Sequence, residues 1–151
     1  MAYTTTREER VALLSRLRNQ LLAQREKFEE YLLVLEQQEA AISENDLGRL
    51  NQYVEMETEI ISEIESVQRV VAPLSRMYAE VEPRPDPEVA RLSESLGRLH
   101  QEATRRNLRN QELLRGGMED LRQEITTVRS KQRPVNVYST RDTATLLDIS
   151  T

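Results

Sequence analysis

Cysteine and tryptophan are absent from this 151-residue chain, and histidine occurs once, at His100. Without cysteine the chain cannot form a disulfide framework, a thiolate metal site or a thiol nucleophile. A single histidine also argues against a histidine-rich metal centre. We therefore expect neither a metal ion nor another cofactor.

Aromatic residues make up only 4% of the chain and there are four glycines, whereas 31% of the residues are charged and 38% are apolar. Such a composition cannot fill a thick core of several layers. It suits long helices, each of which buries one apolar stripe and exposes its other faces to water. The composition therefore favours an all-α fold.

Long apolar runs are also missing, because none approaches the roughly 20 residues of a membrane span. The first residues, Met1-Ala2-Tyr3-Thr4, do not resemble the apolar core of a signal peptide. The net charge of −5 argues against a general binder of nucleic acid or anionic membranes. We expect a cytoplasmic protein with no membrane insertion and no nucleic-acid partner.

The first helix is predicted over about residues 6–43. Thr6 and Glu9 have the spacing of a capping box, in which each side chain accepts a hydrogen bond from the other residue's backbone amide. Five apolar residues then recur every seven positions: Leu14, Leu21, Phe28, Leu35 and Ile42. This recurrence predicts coiled packing against a neighbouring helix.

A second helix is predicted over about residues 46–80, after a turn at Ser43-Glu44-Asn45-Asp46. Its apolar stripe is again heptad-like, with Glu57 and Gln68 as polar exceptions. Because the turn is short, the first two helices should form an antiparallel hairpin. Pro73 is expected to kink or end the second helix.

The third helix is predicted over about residues 87–131, after a semi-rigid connector at 81–87 that contains three prolines at alternate positions. Asp86 and Pro87 have the residue types of an N-cap and a first helical position. A continuous apolar stripe follows the helix, and Gly116-Gly117 weakens its middle, where either a bend or a frayed half is expected. Residues 1–132 thus form one predicted helical-bundle domain.

Residues 133–151 follow Arg133-Pro134 and show no helical period. They are polar and threonine-rich, with apolar residues at Val135, Val137 and Tyr138 and again at Leu146, Leu147 and Ile149. We predict a flexible C-terminal tail.

Catalytic motifs are not found in the sequence, which we therefore do not expect to be an enzyme. The acidic residues Glu55, Glu57, Glu59, Glu63 and Glu65 are interpreted as a solvated helix face. The arginines at 105, 106, 109 and 115 form the densest basic cluster but lack interleaved aromatics. They indicate a solvated surface or a contact for an acidic partner segment.

The third helix carries more apolar stripe than the two shorter helices can cover, and this excess indicates a binding surface. The excess lies at Leu113, Leu114, Met118, Leu121, Ile125 and Val128. Two simpler explanations remain open at this point, namely homodimerisation and packing against a bent second helix.

The order of these elements resembles the FlgN-like flagellar export chaperones. The resemblance rests on the long heptad helix, the turn Glu44-Asn45-Asp46-Leu47 and the segment Asn107-Leu108-Arg109-Asn110-Gln111-Glu112-Leu113-Leu114. It also rests on a tail with Val137-Tyr138-Ser139 and Leu146-Leu147-Asp148-Ile149.

The resemblance implies a cytoplasmic chaperone for hook-associated (hook–filament junction) proteins. Such a chaperone binds a helical C-terminal segment of its client, prevents early assembly and delivers the client to the flagellar type III export gate. The implied partner-binding residues are Asn107, Asn110, Leu113, Leu114, Met118, Leu121, Ile125 and Val128. The two asparagines would bond to neighbouring helices and set their register. Tail contacts are expected at Tyr138, the contact for the export gate, and at Leu146, Leu147 and Ile149.

An alternative from another class is a structural coiled-coil adaptor or scaffold that self-associates or bridges partners. A helix hairpin that binds nucleic acid is a more distant third.

Overall fold

Three long helices make up the fold. The computed structural model describes the backbone of residues 6–150 and the side chains of residues 6–131. Helix α1 spans Arg7–Ser43, α2 spans Leu47–Val81 and α3 spans Pro87–Ser150. No strand occurs in this part of the chain, so the predicted all-α class is confirmed.

Each helix begins at a side-chain cap, and the caps of α1 and α3 are the predicted ones. The Glu9 amide donates to Thr6 Oγ1 at 3.2 Å, and the Thr6 amide donates to Glu9 Oε2 at 3.1 Å, which completes the capping box. Asp46 caps α2 by accepting from the Arg49 amide at 3.1 Å. Asp86 caps α3 by accepting from the amides of Glu88 and Val89. These carboxylates satisfy amides that have no partner within the helix.

Helices α1 and α2 form the predicted antiparallel hairpin. Asn45 takes a positive φ of 54° in the turn between them, a conformation that asparagine tolerates better than most residues. Contacts then run in opposite chain directions, from Gln38 against Tyr53 and Glu57 to Gln24 against Gln68. The short turn therefore returns the chain along the face that the heptads of α1 present.

The first part of α3 packs on this hairpin and runs parallel to α1. Leu92 joins a buried cluster with Leu17, Leu21, Val71, Leu74 and Tyr78. Ala103 joins a second cluster with Phe28, Tyr31, Val34, Leu35 and Ile60. The core is thus thin and built mostly from aliphatic side chains, as expected from so few aromatics.

Polar side chains also lie in the interface between α1 and α2. Gln24 Nε2 donates to Gln68 Oε1 at 2.7 Å, so one polar exception of the α2 stripe meets a buried glutamine of α1. The other exception, Glu57, accepts from the Tyr31 hydroxyl at 3.0 Å and from Gln38 Nε2 at 2.7 Å. Buried polar groups that pair in only one alignment specify the register of a helix pair.

The connector between α2 and α3 is held by one arginine of α1. Arg18 Nη2 lies 2.8 Å from Asp86 Oδ1, and Arg18 Nε lies 3.2 Å from Glu88 Oε2. The guanidinium group lowers the pKa of the Asp86 carboxyl from its usual value, chiefly through that hydrogen bond. The start of α3 is therefore tied to α1 as well as packed on it.

The structure differs from the sequence prediction at two prolines. Helix α2 continues through Pro73, with Leu74 and Tyr78 buried beyond it, so packing offsets the one backbone hydrogen bond that the proline lacks. The backbone of α3 continues through Pro134 to Ser150, past the end that we predicted near residue 131. A proline inside a helix removes one donor and crowds the carbonyl four residues before it, which can kink a helix without ending it.

The chain divides into two compact units, the first ending at Gln111 and the second beginning at Glu112. This boundary lies inside the single domain predicted over residues 1–132. The hairpin and the start of α3 form the first unit, and the remainder of α3 forms the second.

Candidate partner-binding surface

The second unit carries a regular apolar face on α3. Its members recur in steps of four, three, four and three residues, which keeps them on one side of a helix. We call this face the α3 stripe, and it consists of Leu114, Met118, Leu121, Ile125 and Val128.

Four of the five stripe residues are exposed to solvent. The exposed fractions are 64% for Met118, 57% for Leu121, 44% for Ile125 and 52% for Val128, and Leu114 is half-buried. Contiguous apolar surface of this kind marks an interaction site more often than scattered apolar residues do.

The earlier positions of the same helix face have a different environment. Leu92 and Ala103 are buried in the first unit, and Leu96 and Leu99 are partly buried against its clusters. One sequence pattern therefore has two structural roles: it builds the core before Gln111, and from Met118 to Val128 it is exposed.

Three predicted partner-binding residues differ from the stripe, Asn107 and Asn110 in their burial and Leu113 in its orientation. Asn110 is 3% exposed, and its Nδ2 donates to the Leu35 carbonyl oxygen at 2.9 Å, so it is covered by the chain itself. This bond confirms the expected contact with a neighbouring helix. Asn107 is half-buried in the first unit. Leu113 is 38% exposed, but helical geometry places it about 100° away from the centre of the stripe.

The arginines of α3 fall into two groups. Arg105 and Arg106 both bind Glu102, at 2.7 Å and 2.9 Å, and Arg109 Nη2 lies 3.3 Å from Glu39 Oε1. The two neighbouring guanidinium groups lower the pKa of Glu102 to about 2. Arg115, Arg122 and Arg129 are exposed, and none of them forms an ion pair with a carboxylate of residues 6–131.

The glutamates of α2 were predicted to form a solvated face, and this is wrong for one of them. Glu57 is half-buried between Tyr31 and Gln38, where it accepts two hydrogen bonds. Burial, followed by the charge and hydrogen bond of Glu57, raises the pKa of the Tyr31 hydroxyl above its ordinary value. Glu63 Oε2 lies 2.7 Å from Lys27 Nζ, and that contact raises the pKa of Lys27.

The side chains described, those of residues 6–131, contain no group of three or more acidic or histidine residues placed to hold a metal ion. His100 is exposed and meets the ring of Phe28 edge-on, with the ring centroids 6.0 Å apart. Among the helices described, none combines enough length and apolarity to cross a bilayer.

The predicted tail contacts at Tyr138, Leu146, Leu147 and Ile149 lie outside the residues whose side chains the structure describes. They stay predictions.

Comparison with known proteins gives two matches to this chain. The FlgN protein family matches residues 13–145, a range that contains all of α2, most of α1 and α3, and the α3 stripe. A relative from Treponema pallidum (strain Nichols), described only as an uncharacterized protein, is 34% identical over 141 residues, covering 93% of this chain and 91% of the relative. No solved structure matches. Since the family match covers most of the chain, the chain belongs to the FlgN family of flagellar chaperones.

Proposed function

We propose that this protein is a cytoplasmic export chaperone whose α3 stripe binds a helical C-terminal segment of the hook-associated junction proteins. The bound client is kept from assembling early and is then delivered to the flagellar type III export apparatus. The observation that carries the proposal is the exposed row Met118, Leu121, Ile125 and Val128 in a chain of the FlgN family.

The physical basis is helix-on-helix burial. A client segment that polymerises through its own apolar face can lay that face on a stripe that is already helical. Apolar burial contributes roughly 25 cal/mol per Å2, and ordering the client opposes it. The balance places the affinity in a range of roughly micromolar to nanomolar, which permits release at the export gate.

The experiment is a charge placed in the stripe. Leu121→Glu and Ile125→Glu each put a carboxylate where the client would exclude water, and we expect client affinity to fall by about 100-fold. Glutamate is a good helix former, so circular dichroism should show unchanged helicity. Val54→Glu and Met56→Glu are matched controls, because both side chains are exposed and apolar but lie on α2 of the first unit.

Calorimetry with the C-terminal segment of a hook-associated junction protein measures the outcome. Full binding by Leu121→Glu and Ile125→Glu would refute the stripe as the client site. An equal loss in the α2 controls would show that the effect is not specific to α3.

Light scattering separates this proposal from the self-associating scaffold. A chaperone should convert from a monomer or weak dimer into a one-to-one complex with its client. A tight oligomer whose mass does not change when client is added would favour the scaffold instead.

Delivery is assigned to residues 133–151, with Tyr138 as the contact for the export gate. Deleting these residues should preserve the first unit and client binding while export fails. Tyr138→Ala should reproduce the export defect alone. If the truncated protein loses the unfolding transition of the first unit, this assignment is wrong.

A further inference from the structure

One edge of the α3 stripe is lined by arginine at a regular interval. Arg115, Arg122 and Arg129 are seven residues apart, and seven residues is also the period of the stripe. In a heptad whose apolar a and d positions are the stripe, all three arginines take the same flanking position, next to d. We call these three residues the arginine row.

The opposite edge of the stripe has no such uniformity. Its equivalent positions hold Gly117, Glu124 and Lys131, an uncharged residue followed by one charge of each sign. The two edges are therefore electrostatically different, and only the edge with the arginine row carries charge of a single sign.

The arginine row is exposed and without an ion-pair partner among residues 6–131, although Glu119 lies four positions after Arg115. The contrast with the first unit is direct, because Arg105, Arg106 and Arg109 of the same helix are all paired with carboxylates of their own chain. Flanking charges of this kind select the partner and the orientation in helix pairs.

We infer that the α3 stripe takes an amphipathic helix of another protein whose apolar face is bordered by acidic side chains spaced seven residues apart. These carboxylates pair with Arg115, Arg122 and Arg129 across the edge of the interface. The inference rests on the proposed function and adds the chemistry by which the client is recognised.

A second copy of this chain fits the same surface poorly. An antiparallel second α3 would bring one arginine row against another, and like charges across a helix interface select against such a pair. The chain as a whole carries a net charge of −5 and would repel an acidic partner at long range. Any preference for an acidic edge must therefore come from the local row.

Two synthetic peptides of about 21 residues test the inference with the full-length protein. Both have the same apolar face, and their edge positions are all glutamate in one and all lysine in the other. Fluorescence anisotropy at physiological salt measures each affinity. Three exposed ion pairs predict that the glutamate-edged peptide binds about tenfold more tightly.

The variant Arg115→Glu/Arg122→Glu/Arg129→Glu should reverse this preference. The matched control is Arg76→Glu/Arg91→Glu/Arg98→Glu, which changes the net charge equally at three exposed arginines outside the second unit. The control should keep the preference for the glutamate-edged peptide. A preference that the first variant does not change would overturn the inference.

Leu121→Glu distinguishes a failure of the arginine-row inference from a failure of the proposed function. If both peptides bind equally and Leu121→Glu abolishes binding, the stripe is a docking site but the arginine row does not select its partner. If neither peptide binds, or if Leu121→Glu has no effect, the stripe is not the docking site. The proposed function then fails together with the inference.

Discussion

Asn110 Nδ2 donates to the Leu35 carbonyl oxygen at 2.9 Å, across the interface between α3 and α1. Leu35 is fully buried, and Asn110 is the last buried residue of α3 before the second unit begins at Glu112. The face of α3 that packs on the hairpin thus ends in a directional polar contact. A hydrogen bond of this kind specifies the alignment of two helices more strictly than apolar packing alone.

Asn110→Asp should destabilise the first unit by about 3 kcal/mol at neutral pH, because it buries a carboxylate against a carbonyl oxygen. Urea unfolding followed by circular dichroism measures the change. Asn107→Asp makes the same substitution at a half-buried position and should cost much less. Equal costs at the two positions would contradict a special role for the Asn110 contact.

Replacing Glu57 should also lower the stability of the first unit substantially. Glu57→Ala leaves the Tyr31 hydroxyl without its acceptor and the Gln38 amide with only its longer contact to the Tyr53 carbonyl oxygen, and we expect a loss of about 2–3 kcal/mol. Glu55→Ala and Glu59→Ala remove exposed glutamates from the same helix and should stay within about 0.5 kcal/mol of the parent. A cost at Glu57 as small as that of these controls would mean that the polar contacts contribute nothing to the hairpin.

Acid should weaken the first unit through Asp86. Arg18 lowers the pKa of this carboxyl in the folded protein below the reference value of 3.8. The unfolded chain therefore takes up a proton first as the pH falls, and the stabilisation present above pH 3.8 is lost progressively below it. Glu102, with a pKa of about 2, contributes in the same direction.

Asp86→Asn keeps a residue suited to capping α3 but removes the titrating group. Its free energy of unfolding should fall less steeply than that of the parent between about pH 5 and pH 2. Asp120→Asn removes one charge from an exposed position of the second unit and serves as the control. If Asp86→Asn has the same slope as the parent protein, the Arg18–Asp86 contact does not contribute to acid stability.

Glycine substitutions test whether the second unit works as a helix. A Cβ atom added at Gly116 or Gly117 meets no atom within 4 Å, so alanine fits at both positions. Each alanine should favour the helix by about 1 kcal/mol. Client binding should be kept or strengthened, because the more stable helix loses less conformational entropy when the client binds. Slower amide exchange over residues 112–131 would show the gain.

Gly97→Ala in the first unit is a matched control, since it also has open space around it. It should leave client binding unchanged. Loss of binding in Gly116→Ala or Gly117→Ala, with helicity kept, would instead indicate that the client approaches the backbone at these glycines.

Local chemistry predicted much of the fold. The Thr6–Glu9 capping box and the Asp86 cap depend on neighbouring residues alone, and the structure contains both. Apolar periodicity likewise predicted the hairpin. The helix through Pro73 could not be predicted in the same way, because Leu74 and Tyr78 are held by long-range packing against Leu17 and Leu21.

The buried polar residues were harder to predict from the sequence than the helices. Gln24 and Gln38 look solvent-facing in sequence, yet they share a second seven-residue series with Leu17 and Tyr31 and are buried. Their partners Gln68 and Glu57 appeared only as interruptions of the α2 stripe, because pairing between distant residues is not visible in either helix separately. The recurrence of arginine at 115, 122 and 129 is visible in the sequence. Because these arginines are seven residues apart, they do not form a dense basic cluster.

Hydrogen–deuterium exchange on the full-length protein, with and without a hook-associated junction protein, tests the central claim most directly. The account predicts that added client slows amide exchange over residues 113–128 of α3, while Leu121→Glu removes this protection. Protection confined to the hairpin of α1 and α2, with residues 113–128 exchanging as in the free protein, would contradict it.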